Sequence, residues 1–160
     1  MLEERRKLLR TNNIQTTEGI IYFQIVNQAI TNTGGDNYLN FDVEYKTDAG
    51  GRYADYIEFR TEFNSSVFVS IEASDITLTY SDAAFNNPTN FSKFLTLPTG
   101  TVSHFVSTVA SNPPASTGRP LIPTNYTKLA TVKVKIGVTT PLLNSLLFSK
   151  VKTMVLIEIL

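Results

Sequence analysis

The sequence predicts an all-β chain folded as an antiparallel two-sheet β-sandwich of about seven to nine strands. Three observations carry this expectation. Apolar and polar residues alternate with a period of two, the alternating runs are filled with β-branched and aromatic side chains, and clusters of Gly, Asn and Pro interrupt them at intervals of about ten residues. Connections of unequal length favour Greek-key crossings between two sheets over an even meander closed into a barrel. No fixed-period repeat is present, which sets aside propellers and solenoids.

The chain opens on Met1–Arg10, where Leu2, Leu8 and Leu9 are separated by five consecutive charges. Their spacing allows a short frayed helix, and a helix this short is marginal in water. Residues 1–15 therefore read as a mobile arm, and 16–160 as a single sandwich domain. Ile20–Val26 is the first expected strand. The turn cluster Asn32–Asp36 follows, with Gly34 and Gly35 supplying positive φ. In Leu39–Lys46, Leu39, Phe41, Val43 and Tyr45 alternate with Asn40, Asp42, Glu44 and Lys46. Asp48–Gly51 is a second turn. Asp55–Phe63 then places Ile57, Phe59, Thr61 and Phe63 opposite Glu58, Arg60 and Glu62.

Further strands are expected at Val67–Ile71, Ile76–Tyr80 and Val102–Val109, with a single helical turn at Asp82–Phe85 and turns at Asn86–Asn90 and Leu97–Gly100. Ser111–Asn125, with four prolines, reads as a long loop, because Leu129–Val138 resumes the clearest alternation of all. The closing run Met154–Leu160 reads either as a last buried strand or as the cut end of a longer protein. Leu142–Leu160 is interrupted by Lys150, Lys152 and Glu158, so no membrane span is expected.

Composition narrows the chemistry. The 160 residues include no cysteine, no tryptophan and one histidine, which excludes disulfides, thiolate metal sites and thiol catalysis. Fourteen basic side chains balance fourteen acidic ones, so no nucleic-acid partner is expected: strong phosphate neutralisation needs a basic surplus. The balance is uneven along the chain. Residues 11–127 carry a net charge of −6 and residues 128–160 a net of +4, and the acidic stretch between Asp36 and Asp82 reads as a solvated face.

The sequence holds few residues in catalytic arrangements. His104 has Ser103 and Ser107 near it in sequence, but no Gly-x-Ser-x-Gly elbow presents a nucleophile. The carboxylate pairs Asp42/Glu44 and Glu58/Glu62 are co-facial on their strands, as glycoside hydrolysis would require, yet they alternate with apolar residues and so are expected to face water. Neither Gly34-Gly35 nor Gly50-Gly51 is followed by the residues of a phosphate loop. Asp36, Asp48, Asp75 and Asp82 fall at turns or strand ends and are the candidate calcium ligands, without the dense spacing of a calcium loop. Tyr38, Tyr53, Tyr56 and Tyr126 are the aromatic candidates for stacking on sugar rings. Three glycosylation sequons, at Asn64, Asn90 and Asn125, occur at the frequency this composition gives by chance.

The stretch Ala73–Phe85, in which the strand Ile76-Thr77-Leu78-Thr79-Tyr80 runs into a short turn with an apolar anchor, resembles the corresponding part of cohesin-like β-sandwich modules. The strand Tyr126–Ile136 and the opening strand Tyr38–Lys46 are similar to others in the same modules and in carbohydrate-binding-module-like sandwiches. The resemblance spans about residues 19–138 and implies a non-catalytic binding or scaffolding module of a secreted or cell-surface bacterial protein, with a protein or polysaccharide ligand and, in some modules, loop-bound calcium. The contact surface expected on this reading is the Asn86–Asn90 turn with the Ser111–Asn125 loop, and its candidate ligand-binding residues are Asn86, Asn90, Arg119 and Tyr126. The competing expectation is an assembly subunit, a homo-oligomer in a capsid, fibre or pilus, built by exchange of edge strands or arms.

Overall fold

A computed structural model of the chain describes residues 20–62, 71–97, 104–112, 118–137 and 151–154. Among them are eight strands: β1 (Ile21–Thr33), β2 (Asp36–Thr47), β3 (Tyr56–Glu62), β4 (Ile76–Tyr80), β5 (Phe91–Thr96), β6 (His104–Ser111), β7 (Thr127–Gly137) and β8 (Val151–Met154). They form two antiparallel four-stranded sheets, in the orders β1-β2-β7-β4 and β5-β6-β3-β8. The expected β-sandwich is the observed fold. Consecutive strands change sheets repeatedly, so β2 pairs with β7 and β3 with β6 across long stretches of sequence.

The interior is filled by one phase of each central strand. From the first sheet come Leu39, Phe41, Val43 and Tyr45 on β2, Ala130, Val132 and Val134 on β7, and Ile76 and Tyr80 on β4; from the second come Ile57 and Phe59 on β3 and Phe105 and Val109 on β6. Each fully buried side chain of this kind contributes about 1.5–3 kcal/mol over an exposed one. Phe23 and Phe59 meet across the layers with ring centroids 6.2 Å apart. Thr61 and Ser107 are buried on the same phase. The Ser107 hydroxyl is 2.8 Å from the Tyr80 hydroxyl, a hydrogen bond that ties β6 of one sheet to β4 of the other. Burial in that apolar setting pushes the Tyr80 phenol up to about 12, although the bond to Ser107 works in the opposite direction.

The connection from β4 to β5 continues the tie. Ala83–Asn86 forms a 3₁₀ turn where a single helical turn was expected, and Asp82 caps it by accepting the Ala84 N–H at 2.8 Å. The turn directs Phe85 into the core, 5.7 Å from the Tyr80 ring and 5.3 Å, edge-on, from Phe91 at the start of β5. The three rings thus step from one sheet to the other.

Several boundaries differ from the sequence expectation for identifiable reasons. β1 runs to Thr33 rather than ending at Val26, because a bulge at Asn27 and Gln28 shifts the register: Val26 pairs with Asp42 and Ala29 with Asn40. Beyond it the inward phase changes from Ile21, Phe23 and Ile25 to Ile30, so the alternation is broken although the strand is not. Gly34 and Gly35, at φ 63° and 90°, close β1 onto β2 with a two-residue turn, as a tight hairpin requires. β5 was not expected. As an edge strand it buries Phe91 but leaves Lys93 and Phe94 exposed, and so shows no clean alternation. The frayed helix and arm expected over residues 1–15 lie outside the described residues, as do Val67–Ser70 of the expected Val67–Ile71 strand and residues 155–160 of the closing run. Ile71 is buried in a non-strand segment.

The architecture assigns opposite costs to two phenylalanines. Phe59→Ala empties a fully buried position and is expected to lower stability by about 3–5 kcal/mol. Phe94→Ala removes an exposed ring and is expected to change it by no more than about 0.5 kcal/mol. Chemical denaturation of the two variants checks both values.

Candidate functional site

One end of the sandwich gathers the segments singled out in the sequence. There β2 leads into 48–55, β4 into the 3₁₀ turn and the Asn86–Asn90 turn, β6 into Ser111 and Asn112, and residues 118–126 lead into β7. Backbone hydrogen bonds stitch the segments together, from Thr47 N–H to the Pro123 carbonyl, Ser111 N–H to Asp55 and Asn112 N–H to Asn90.

At the centre of this end, residues 52–54 and 120–122 form a short antiparallel ladder. The Ala54 N–H bonds the Pro120 carbonyl at 2.9 Å and the Ile122 N–H bonds the Arg52 carbonyl at 2.8 Å. These bonds flank Tyr53 and Leu121, which are directly opposed. Opposed residues of this non-hydrogen-bonded type bring their side chains closest together. The ladder's inner side chains, Arg52, Ala54, Pro120 and Ile122, are buried, while Tyr53 and Leu121 are 50% and 54% exposed. The result is an aromatic–aliphatic pair presented to solvent on a rigid base. Ion pairs flank it: Arg52 to Asp48 at 3.3 Å and Arg119 to Asp55 at 3.3 Å. Ser111 hydrogen-bonds the same Asp55 carboxylate.

Three of the four sequence-nominated residues, Asn86, Asn90 and Arg119, lie at this end, with different surroundings. Asn86 donates to the Tyr80 carbonyl at 2.8 Å and accepts from Lys93 at 3.0 Å, so its amide closes the 3₁₀ turn. Asn90 lies beside Gly118, where a β-carbon would come within 3.0 Å of its amide nitrogen, and it adjoins the segment that carries Arg119. Arg119 holds Asp55. Tyr126 stands apart from these three, on the outer face of the first sheet, with the Lys46 ammonium 4.6 Å from its ring centroid. Tyr53 is legible in the sequence as an aromatic at a loop edge, but its pairing with Leu121 depends on a contact between residues 68 positions apart that no local pattern reveals.

The other chemical candidates resolve into local interactions. Glu58 and Glu62 face outward as expected: Glu58 accepts from Tyr56 and Thr108, and Glu62 pairs with Arg60 at 3.3 Å. His104 Nδ1 is 3.3 Å from an Arg60 guanidinium nitrogen. Burial and then the Arg60 charge lower its pKa, against the opposing pull of Glu62. Ser107 is on the opposite face of β6. Among the calcium candidates, Asp36 pairs with Lys135 at 2.8 Å, Asp75 caps the Glu72 N–H at 3.0 Å, and Asp48 and Asp82 serve the ion pair and cap described above. Asp36 and Asp75 sit at one end of the sandwich and Asp48 and Asp82 at the other. Among the described residues no group of three or more potential ligands is close enough to hold a metal ion, and no helix is long and apolar enough to cross a membrane.

Asp42 departs from the expectation of a water-facing carboxylate. It does project from the outer face of β2, but it is only 7% exposed. Asn27 from the β1 bulge donates to it at 2.9 Å, Thr131 from β7 at 2.7 Å and Lys128 at 2.9 Å. Asn27 adopts φ 56°, a left-handed conformation that asparagine tolerates, at the bulge. The carboxylate thereby clamps three adjacent strands. Burial alone would raise its pKa, but the hydrogen bonds from Asn27, Lys128 and Thr131, with the Lys128 charge, outweigh burial and hold it below the ordinary 3.8.

Comparison with known proteins finds no matching family model, no matching curated protein and no matching solved structure.

The Asp42 clamp has a measurable signature. Asp42→Ala is expected to lower stability by about 1–3 kcal/mol, because it leaves donors on β1 and β7 without their acceptor. Since the folded pKa is depressed, the stabilisation is complete above the unfolded carboxylate value and fades as pH falls through the folded one. Denaturant midpoints of wild type and variant should therefore differ most at neutral pH and converge in acid.

Proposed function

We propose that this chain is a non-catalytic binding or scaffolding module that engages a protein or polysaccharide ligand through the sandwich end carrying Tyr53 and Leu121. The observation that carries the reading is that exposed pair, held on a ladder whose other side is anchored in the core. Pre-ordered aromatic side chains make effective contact anchors, because little conformational entropy is lost when a partner covers them. Binding residues concentrate on loops positioned by a rigid scaffold, and the segments around Tyr53 are of that kind. Of the nominated residues, Arg119 is two positions from Leu121, Asn90 lies beside Gly118 of the same segment, and Asn86 orders the neighbouring turn. The resemblance to cohesin-like modules supports placement in a secreted or cell-surface bacterial protein.

The second reading is an assembly subunit, favoured by β1: a 13-residue strand at the edge of its sheet, paired on one side only among the described residues. Such an edge can accept a strand from a second copy. Light scattering coupled to size exclusion separates the two, since assembly gives a defined oligomer and a binding module a monomer.

A glycan array and a pull-down from a cell-surface extract test the leading reading. A ligand is expected whose affinity falls at least about tenfold in Tyr53→Ala, a loss of about 1.4 kcal/mol, with the fold intact by circular dichroism. Failure to find any ligand whose binding is weakened by Tyr53→Ala or Leu121→Ser would contradict it.

A further inference from the structure

The outer face of the first sheet presents a second surface, distinct from the sandwich end. Tyr22 on β1 is directly opposite Lys46 on β2, and Tyr126 immediately precedes β7 on the far side of β2. The Lys46 ammonium lies 5.5 Å from the Tyr22 centroid and 4.6 Å from that of Tyr126. It is flanked by two rings that are themselves 41% and 38% exposed. At the other end of β2 the arrangement is repeated in simpler form, with Lys133 4.0 Å from the ring centroid of Tyr38.

The charges on this face are not equivalent. Lys128 is paired with Asp42 and Lys135 with Asp36, while Glu44 is held by Gln24 at 2.6 Å. Lys46 and Lys133 alone among the four outward lysines make no ion pair with described residues; their partners are ring faces. A ring attracts a cation without cancelling its charge. The two ammonium groups therefore remain able to pair with an incoming anion, each beside a tyrosine.

We propose that this face binds an acidic polysaccharide, with Lys46 and Lys133 pairing carboxylate or ester-sulfate groups and Tyr22, Tyr126 and Tyr38 packing against the sugar rings. The neutral Gln24 amide leaves Glu44 its charge, so the outward lysines exceed Asp36, Asp42 and Glu44 by four to three; that surplus favours an anionic occupant, and the exposed rings favour one with apolar ring faces. The spacing selects a polymer. Tyr22 and Tyr126 are two strand spacings apart, about 10 Å, and Tyr38 is eight residues from Lys46 along β2, about 27 Å. One chain lying along the strand would engage both lysines, and the second contact would be made at high effective concentration. The outward residues between the two, Asn40, Asp42 and Glu44, and the facing Thr31 and Thr131, are tied into hydrogen bonds that keep the face ordered.

Affinity electrophoresis tests the proposal with gels containing polygalacturonate, dextran sulfate, neutral dextran or poly-glutamate. Retardation is expected in polygalacturonate, dextran sulfate or both, the responsive polymer identifying the group as carboxylate or sulfate, with none in dextran. Lys46→Gln is expected to weaken the apparent affinity at least tenfold, the double variant with Lys133→Gln to abolish it, and Lys46→Arg to retain it. Phe94→Ala, which removes an exposed ring on β5 of the other sheet, should leave the retardation unchanged. The proposal is overturned by absence of retardation in both anionic polysaccharides, by equal retardation in neutral dextran, by indifference to Lys46→Gln, or by a preference for poly-glutamate, which would assign the face to an acidic protein segment.

Discussion

The sandwich depends on an inter-sheet lock at the β4–β5 crossing. Within the core, two amphipathic sheets are otherwise held together by apolar burial, which is non-directional and does not fix how one layer sits on the other. The Tyr80 hydroxyl bonded to Ser107 and the ring sequence Tyr80–Phe85–Phe91 supply that direction. A buried phenol is costly unless it is hydrogen-bonded, and the partner of Tyr80 is a residue of the other sheet. Ser107, polar yet on the inward phase of β6, is that residue. Alignment of the layers then determines which segments meet at the sandwich end, and through them the ladder that carries Tyr53 and Leu121.

Most of the interior was legible from alternation alone, because β2, β3 and β7 are central strands with one buried and one outer face. Leu39, Phe41, Val43 and Tyr45 occupy the phase the sequence assigns, as do Ile57, Phe59 and Thr61. Legibility failed where the backbone departs from a uniform pleat. The bulge at Asn27 concealed the second half of β1, and β5, covered on one side only, lacks the contrast that marks a strand. Asp42 shows the same limit on the outer surface. Its phase was read correctly, yet its burial comes from Asn27 and Thr131, which reach it from neighbouring strands.

The surface was less legible than the core, for a related reason. A strand pattern states which side chains point outward but not which of them stand side by side. Tyr22, Lys46 and Tyr126 are distant in sequence and come together only through the β1-β2-β7 pairing; Tyr53 and Leu121 meet only through an isolated bridge. Asn86 and Arg119 were singled out by their loop positions, and their polar atoms serve the loops themselves, ordering the base from which the exposed pair projects. The same framework thus offers an apolar contact at one end and a cationic, aromatic strip along one face.

Native-state hydrogen exchange tests the inter-sheet lock most directly. The account predicts that the slowest amides lie in β2 and β7 of one sheet and in β3 and β6 of the other, and that all four share one opening free energy equal to that of global unfolding. Separate opening free energies for the two sheets, or protection greatest in the edge strands β1 and β5, would contradict it.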